Sequence, residues 1–451
     1  MLRASVQPDE VSYSTVCNAC SRMGEVERAE AWAERMQNGG VRPTGDAWWD
    51  NDGPLHTPKP LRKALYCFCS EGPAAVVEHL ERALELQWVY GFPRVPPGEA
   101  QLTHGIYKYV GGMQPSTAKE FLKLAPPGSR LVLDPFCGSG TVLVEALAGG
   151  MDAVGCDVSP LGVFVSSHHC DLARVDAEEL AAAAREAAAG LQRGPEDWRV
   201  LRARLGAMRP GPVRDALWFV LAVAVATAAP PPATEDPEGR RARPYFLSAA
   251  QRYCAGLASL RAAVPPGCSA RVLHEDNRGL RLDPPADAIV TSPPYPGVYD
   301  YLATAGLARR RVARGAAGAA LPGAAGAAAS AVEELGARRG WLERGPAEFA
   351  EAWQRQQEQW LAAAFRSLRP GGTATLKIGD GDAELEGGHY VDNLASTLRA
   401  AEAAGFAVVA TATIESCADE AHKTHGMLRT EHAVHLRRPL PAEGGPPPRA
   451  A

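Results

Sequence analysis

The sequence predicts an α/β fold in which helices cover both faces of a mostly parallel sheet. Short apolar runs of strand character end in polar residues at 131–134, 153–157, 270–276 and 288–291, and a further run lies at 373–378. Segments of helical character separate these runs. Strands that alternate with helices form βαβ units, and such units build parallel sheets. Ligands of these sheets bind outside the carboxyl ends of the strands.

The first strand leads into a glycine-rich turn. Leu131–Asp134 is followed by Pro-Phe-Cys-Gly138-Ser-Gly140-Thr and then by a helical segment. Glycine backbone can approach a ligand closely and adopt positive φ, and the helix that follows presents free N–H groups. Because no Gly-Lys-Ser/Thr sequence follows, a phosphate loop is disfavoured. The turn indicates a site for a nucleotide-like cofactor, and an ordinary tight turn is the alternative.

A later strand, 288–290, ends in Thr-Ser292-Pro293-Pro294-Tyr295. Consecutive prolines lack N–H groups and fix φ, so the carbonyl of Ser292 or Pro293 is held where no backbone ladder uses it. A fixed carbonyl, a hydroxyl and an aromatic ring suit a flat group with an exocyclic NH₂. The oxygens accept its hydrogens, and the ring of Tyr295 stacks on its face. The alternative is a Pro-Pro turn that closes the strand.

The two stretches together resemble one enzyme family. Asp-Pro-Phe-Cys-Gly-Ser-Gly-Thr (134–141) and Thr-Ser-Pro-Pro-Tyr (291–295) are similar to motifs of class I S-adenosylmethionine-dependent methyltransferases. The branch concerned methylates exocyclic amino groups of nucleobases and includes the cytosine-N4 and adenine-N6 DNA methyltransferases. The resemblance covers about residues 100–440. It implies a Rossmann-like sheet of seven strands and S-adenosyl-L-methionine as the cofactor.

The resemblance also implies site residues. Asp157 matches the ribose-binding acid, since a carboxylate can accept from two neighbouring hydroxyls; a turn or cap residue is the alternative. Asp276 matches the acid that receives the adenine amino group, and a solvated turn residue is the alternative. Tyr107 and Tyr109 precede the first strand and either cover the methionine end or pack in the core. The implied cofactor-binding residues are Asp134, Pro135, Phe136, Gly138, Ser139, Gly140, Thr141, Asp157, Asp276, Asn277 and Tyr107, and the implied catalytic residues are Ser292, Pro293, Pro294 and Tyr295.

The implied reaction depends on how the amino nitrogen is held. That nitrogen is a poor nucleophile because its lone pair is delocalised into the ring. Hydrogen bonds to Ser292 and to the Pro293 carbonyl would favour a more pyramidal nitrogen, and stacking on Tyr295 would fix the plane. The sulfonium methyl is already activated, so transfer needs positioning more than acid–base chemistry. Because this transfer requires no cysteine nucleophile, Cys137 is interpreted as a packing residue. A base in a duplex would have to be extruded to reach the site.

The target is narrowed by the residue before the prolines. Serine at this position is more frequent in the cytosine enzymes, so Ser292 favours cytosine N4 in DNA. Related RNA methyltransferases share the Pro-Pro-Tyr element, so an adenine or guanine in RNA is the second hypothesis. The third hypothesis is an RNA-binding adaptor whose methyltransferase-like domain is inert.

The amino-terminal segment contains a repeat pattern. Val-Gln-Pro-Asp at 6–9 and Val-Arg-Pro-Thr at 41–44 recur with an offset of 35 residues, and two amphipathic helices joined at Gly24 lie between them. A period of this length is typical of α-solenoids. The segment resembles the pentatricopeptide repeat, which binds single-stranded RNA, and the resemblance implies that Ser14 and Thr44 face the bases. One repeat cannot bury its own core, so we expect the chain to be truncated here. A lone helical hairpin is the alternative.

Composition restricts the partners. The formal net charge is −5, so any contact with nucleic acid must depend on a local basic surface. Candidate phosphate contacts are the arginines within 309–314 and at 338, 339 and 344. The alternative is that these arginines lie in a solvated loop. The apolar run 216–229 is too short for a membrane span. Ten cysteines and eleven histidines lack disulfide or metal-ligand spacing. We expect nucleic acid as the partner, no membrane, no metal, and an intracellular location, with nucleus and organelle not distinguished.

The predicted organisation has four parts. A helical repeat at 1–44 is followed by a connecting segment at 45–100, a methyltransferase domain at 101–440 and a disordered tail at 441–451. Two insertions interrupt the domain. The mostly helical one at 161–268 is the best position for substrate recognition, and the one at 302–345 is low in complexity and follows the catalytic strand.

Overall fold

The chain is described from a computed structural model. The structure describes residues 66–90, 93–109, 111–172, 175–191, 196–228, 241–303, 306, 312, 334–380, 391–416 and 430–441. Three sequence-based predictions lie outside these residues: the repeat at 1–44, the arginines within 309–314, and the tail beyond 441.

A mixed sheet of eight strands forms the centre of the described part of the chain. Its spatial order is β1-β7-β8-β6-β5-β2-β3-β4. The five strands from β4 to β6 in this order are parallel, whereas β8 runs antiparallel to its neighbours β6 and β7. The strands are β1 (Tyr66–Glu71), β2 (Leu131–Asp134), β3 (Asp152–Asp157), β4 (Ala270–His274), β5 (Ala286–Thr291), β6 (Leu368–Gly379), β7 (Ala407–Ser416) and β8 (Glu431–Arg437).

The sheet has one strand more than the predicted seven. The additional strand, β1, comes from the segment 45–100 that the sequence pattern assigns to a connection, and it pairs antiparallel with β7. Gly72 (φ 124°) turns the chain away from β1, at a place where a Cβ would lie 2.6 Å from the Val409 carbonyl oxygen. Strand β1 covers the edge of β7, which would otherwise present unpaired backbone groups.

Helices lie on both faces of the sheet. They are α1 (Ala74–Tyr90), α2 (Pro115–Leu122), α3 (Thr141–Ala148), α4 (Pro160–His169), α5 (Ala177–Ala187), α6 (Asp197–Ala207), α7 (Pro212–Ala228), α8 (Ala242–Ala263), α9 (Arg338–Arg344), α10 (Pro346–Ser367) and α11 (Asn393–Ala404). A short 3₁₀ helix, Asn277–Gly279, follows β4. The predicted class, an α/β fold with a mostly parallel sheet, is confirmed.

Alternate residues of β2 show how the two faces are buried. Val132 belongs to the cluster formed with α1, α2 and α3, whereas Leu133 belongs to the cluster formed with α10 and α11. Side chains of a strand alternate between faces, so a continuous apolar run such as Leu-Val-Leu is expected where both faces are covered. The central strands are therefore fixed from both sides.

The predicted helical insertion at 161–268 has its own hydrophobic cluster. Helices α5, α6 and α8 surround the buried run 216–225 of α7. Trp198 of α6 and Tyr253 of α8 belong to the same cluster. The apolar run is thus a buried helix, as its length predicts. Within the described ranges, no helix combines the length and apolarity that crossing a membrane requires.

Two helix starts determine the positions of site residues. Gly140 (φ 81°) is the N-cap of α3, and Ser159 is the N-cap of α4, where its Oγ accepts from the Gly162 N–H at 3.2 Å. Pro160 occupies the first helical position of α4, where its missing N–H costs nothing. Both caps follow the carboxyl end of a parallel strand.

The packing of α1 gives a first test. Leu84 is completely buried in the cluster between α1 and β7, so Leu84→Ala is expected to reduce the free energy of unfolding by about 2–5 kcal/mol. Glu78→Ala, an exposed position on the same helix, is the control and should change it by no more than about 0.5 kcal/mol. Urea denaturation measures both. Equal effects would show that α1 does not pack on the sheet.

Candidate active site

The two sequence motifs meet at the carboxyl ends of neighbouring strands. Strands β2 and β5 are adjacent and parallel, with Val132 opposite Ala288. At their ends, the hydroxyl of Thr291 donates to Asp134 Oδ1 at 2.6 Å. Both side chains are buried. The glycine turn after β2 and the Ser-Pro-Pro-Tyr segment after β5 therefore start from a single hydrogen-bonded point.

The glycine turn is tightly folded. Gly138 and Gly140 have φ of 47° and 81°, and the Gly140 N–H donates to the Cys137 carbonyl. A Cβ on Gly140 would lie 3.0 Å from Cβ of Ser166 in α4. Backbone conformation thus requires both glycines, and the close approach of α4 is a second reason for Gly140.

Buried residues of α4 support the turn from behind. His169 donates through Nδ1 to the Ser139 carbonyl at 2.8 Å, and burial lowers the pKa of this histidine to about 3. The neutral imidazole therefore acts as a hydrogen-bond donor to the turn. The hydroxyls of Ser139 and Thr141 lie 3.4 Å apart at the start of α3. Sequence motifs did not identify His169, because it lies 29 residues beyond Gly140.

Asp157 ends β3 beside the turn, as predicted. Its carboxylate accepts from the Gly138 N–H at 2.8 Å and from the Ser159 N–H at 2.7 Å. Burial raises the pKa of Asp157, and these two hydrogen bonds oppose the rise. Each carboxylate oxygen has a further acceptor position, so the contacts leave capacity for hydroxyl donors.

Asp134 is the most perturbed acid of the site. Burial raises its pKa to about 7, although hydrogen bonds from Thr291 and from the Phe136 N–H lower it, and the charge of Asp157 adds to the rise. The environment therefore disfavours two ionised carboxylates side by side.

The residues predicted to bind adenine lie just beyond the end of β4 and in the short 3₁₀ helix that follows it. Asn277 donates through Nδ2 to the Pro135 carbonyl at 2.8 Å and so ties the loop after β4 to the glycine turn. Asp276 instead shares both carboxylate oxygens with Arg278, which lowers its pKa against the effect of burial. Phe136 contacts Trp360 edge to face, with ring centroids 5.2 Å apart.

The two tyrosines before β2 lie in different environments. Tyr107 is buried in the cluster of the helical insertion. Tyr109 lies over the glycine turn, where its ring carbon Cε1 is 3.3 Å from the position of a Cβ on Gly138. Burial and the charge of Asp157 raise the pKa of the Tyr109 phenol, which bonds the Ser159 side chain. Tyr109 therefore contacts the predicted cofactor turn, and the cofactor role of Tyr107 stays a prediction.

The Ser-Pro-Pro-Tyr segment leads to a polar cluster that the motifs did not reveal. Ser292, Pro293 and Pro294 follow β5 without regular structure. The hydroxyl of Tyr295 donates to Glu431 Oε1 at 3.0 Å and accepts from Lys377 Nζ at 2.5 Å. A lysine in the largely buried strand segment 373–378 is a sequence signal for this cluster.

Other predicted residues can also be placed. Cys137 is buried with Sγ 3.8 Å from the Ser166 hydroxyl, and burial raises its thiol pKa well above the ordinary value, so it packs rather than reacts. Arg338 and Arg339 are exposed, and Arg339 Nη2 is 3.7 Å from Glu334. Among the residues with described positions, no cluster of three or more potential ligands could hold a metal ion.

Sequence comparison gives local similarities. No model of a known protein family matches the chain. The type II methyltransferase M.MvaI of Kocuria varians is 44% identical over 69 residues, and the type II methyltransferase M.MjaII of Methanocaldococcus jannaschii is 32% identical over 83 residues. These segments cover 15% and 18% of this chain, and the chain spans only 15% and 16% of the two relatives. The chain therefore has local similarity to methyltransferases.

Two solved structures align with about three quarters of this chain. TrmN from Thermus thermophilus aligns over 72% of this chain and 48% of its own, with 14% identity and a TM-score of 0.31. The rRNA methyltransferase aviRa from Streptomyces viridochromogenes aligns over 77% of this chain and 94% of its own, with 12% identity and a TM-score of 0.33. TM-scores of 0.31 and 0.33 are too low to carry a functional argument.

The raised pKa of Asp134 predicts a pH effect on stability. An acid whose pKa is higher in the folded than in the unfolded protein contributes most below its unfolded pKa, and the contribution declines up to the folded pKa. For Asp134 this range runs from about pH 4 to about pH 7. The free energy of unfolding of the wild type, relative to Asp134→Asn, should fall over this range by up to about 4 kcal/mol. Urea denaturation at a series of pH values measures it.

Asp287 provides a control of opposite sign. Burial tends to raise its pKa, but hydrogen bonds from the Arg130 N–H, the Arg369 side chain and the Leu131 N–H lower it overall. Wild type relative to Asp287→Asn should therefore gain stability as the pH rises through about 4. A flat difference between pH 4 and 7 for Asp134→Asn would contradict the buried environment of Asp134.

Proposed function

We propose that the chain is an S-adenosylmethionine-dependent methyltransferase that acts on the exocyclic amino group of a nucleobase, with cytosine N4 in DNA as the target. The observation that carries the proposal is the 2.6 Å hydrogen bond between Thr291 and Asp134. It joins the cofactor-type turn to the Pro-Pro-Tyr segment at one edge of a parallel sheet, where ligands of such sheets bind. The local similarity to two methyltransferases supports the same class.

The residues around the turn fit a nucleoside-type cofactor. Gly138 and Gly140 adopt positive φ, which allows the backbone to form a tight turn directly before α3. Asp157 has spare acceptor capacity for two hydroxyls beside the turn. When bound, S-adenosyl-L-methionine would supply an activated methyl group. The proposed role of the turn and Asp157 is to bind and orient the cofactor.

The proposed role of the Ser-Pro-Pro-Tyr segment is to hold the amine. Ser292 and the Pro293 carbonyl would accept hydrogens from the target NH₂, and Tyr295 would fix the plane of the base. S-adenosyl-L-methionine would supply the methyl carbon that bonds to this nitrogen as the methyl–sulfur bond breaks, and the proton that the nitrogen loses would pass to solvent. Asp134, buried at the base of both segments, would hold Thr291 and so fix where the segment starts.

The choice of DNA rests on Ser292 and on the resemblance of the two motifs. RNA is the second candidate, because the pattern at 1–44 resembles a reader of single-stranded RNA. Either substrate would present an exocyclic amino group of a base to the same segment.

Methyl transfer can be tested directly on the full chain. Labelled S-adenosylmethionine is incubated with the protein and separate pools of DNA and RNA, and the nucleosides are analysed by mass spectrometry. We expect labelled N4-methylcytosine from DNA. Label in RNA alone would move the target to RNA, and transfer to neither pool would contradict the proposed activity.

Removal of the Tyr295 ring tests the base site. Tyr295→Ala should reduce kcat/KM by about 10- to 100-fold, because base–aromatic stacking contributes about 1–3 kcal/mol. Cofactor affinity, measured by calorimetry, should stay unchanged because Tyr295 lies outside the glycine turn. Tyr299→Ala is the matched control, since Tyr299 lies four residues further along and is exposed. Unchanged turnover in Tyr295→Ala would remove the stacking role.

A further inference from the structure

Two largely buried side chains, Lys377 and Glu431, form a cluster with the hydroxyl of Tyr295. Lys377 comes from β6 and Glu431 from the start of β8. The ammonium of Lys377 lies 2.5 Å from both the Tyr295 hydroxyl and Glu431 Oε1, and the same Oε1 accepts from the tyrosine at 3.0 Å. Each member of the cluster contacts the other two. The cluster therefore joins the segment after β5 to two further strands.

The ring of Tyr295 is also held from below by backbone. A Cβ on Gly379 would overlap the ring carbon Cε2, so the ring rests on the main chain at the end of β6. Asn393, at the start of α11, donates through Nδ2 to the Gly379 carbonyl at 2.8 Å and fixes this stretch. The ammonium of Lys377 lies 5.2 Å from the ring centroid. Ring position and hydroxyl position are thus set by separate contacts.

The cluster is costly to bury. The side chain of Lys377 is 4% exposed and that of Glu431 is 15% exposed. Taking a charge pair out of water costs free energy that packing alone would not require, and apolar residues could fill the same space. Among residues 66–380, 391–416 and 430–441, as far as they are described, Glu431 Oε2 has no hydrogen-bond partner. Stability of the fold does not by itself account for a buried Lys377–Glu431 pair, whereas the need to orient the ring of Tyr295 does.

We propose that Lys377 and Glu431 are positioning residues that hold the ring of Tyr295 in the plane on which the target base stacks. This inference rests on the proposed function, because it assigns the ring to base stacking. Lys377 and Glu431 touch neither the base nor the cofactor in this account and act through the Tyr295 hydroxyl. The ring is therefore oriented before the base arrives, which lowers the cost of ordering it on binding.

The test combines three substitutions in the full chain. Glu431→Gln keeps the shape of the side chain, Lys377→Met keeps the stem and removes the charge, and Tyr295→Phe keeps the ring and removes the hydroxyl. The double variant Lys377→Met/Glu431→Gln avoids an unpaired buried charge if a single variant folds poorly. Arg369→Met is the control, because Arg369 forms an ion pair with Asp287 at the opposite end of β6.

The kinetic readout separates positioning from stability. Glu431→Gln and Lys377→Met should each lower kcat about tenfold or more, since a small misplacement of a site group can cost up to about 100-fold. Cofactor affinity should stay within about twofold, and Arg369→Met should keep wild-type kcat. In the Tyr295→Phe background, Glu431→Gln should cause no further loss, because the hydroxyl through which it acts is absent. A purely structural role would lower activity equally in both backgrounds.

A second readout does not depend on activity. With 3-fluorotyrosine incorporated, the ¹⁹F signal of Tyr295 is identified by its loss in Tyr295→Phe. Its chemical shift and linewidth should change in Glu431→Gln and remain as in the wild type in Arg369→Met. An unchanged signal, unchanged kcat, or independent losses in the two backgrounds would overturn the inference. Failure of the wild type to transfer methyl to DNA or RNA would instead contradict the proposed function, while the ¹⁹F result would still decide whether the cluster holds the ring.

Discussion

The hydrogen bond between Thr291 and Asp134 is the constraint on which the rest of the site depends. It can form because β2 and β5 are neighbours in a parallel sheet, so their carboxyl ends lie at the same edge. Each partner is the last residue of its strand, and each precedes one of the two motifs. Without this adjacency, the glycine turn and the Pro-Pro-Tyr segment would be unrelated loops.

Hydrogen bonds from three separate elements support the glycine turn. Asp157 from β3 accepts from its backbone, Asn277 from the loop after β4 bonds Pro135, and His169 from α4 bonds Ser139. These hydrogen bonds attach the backbone of the turn to three separate elements and so favour one conformation of it. The charge of Asp157 adds to the burial of Asp134 in raising the pKa of Asp134.

Local patterns predicted what is local in this fold. Apolar runs that end in glycine or proline indicated β2 and β5, and Asp157 followed from its position at the end of β3. Strand β1 was missed because it pairs with β7, about 340 residues further along the chain, and no local pattern reveals that pairing. The cluster of Tyr295, Lys377 and Glu431 could not be predicted, since it exists only because β6 and β8 pair antiparallel across more than 50 residues of sequence. The ion pair between Asp276 and Arg278 was not predicted, because the position of a strand end does not reveal it, and the adenine role of Asp276 stays a prediction.

The central claim is that the two segments form one site, and a crystal structure of the full chain with S-adenosylhomocysteine tests it most directly. We expect the ligand on the glycine turn, its ribose hydroxyls at Asp157, and its sulfur facing Ser292 and Pro293 across a gap that fits one amino group. The gap is set by the approach of the attacking nitrogen to within about 3–3.5 Å of the methyl carbon. A sulfur directed away from Pro293, or a ligand bound elsewhere, would contradict the account.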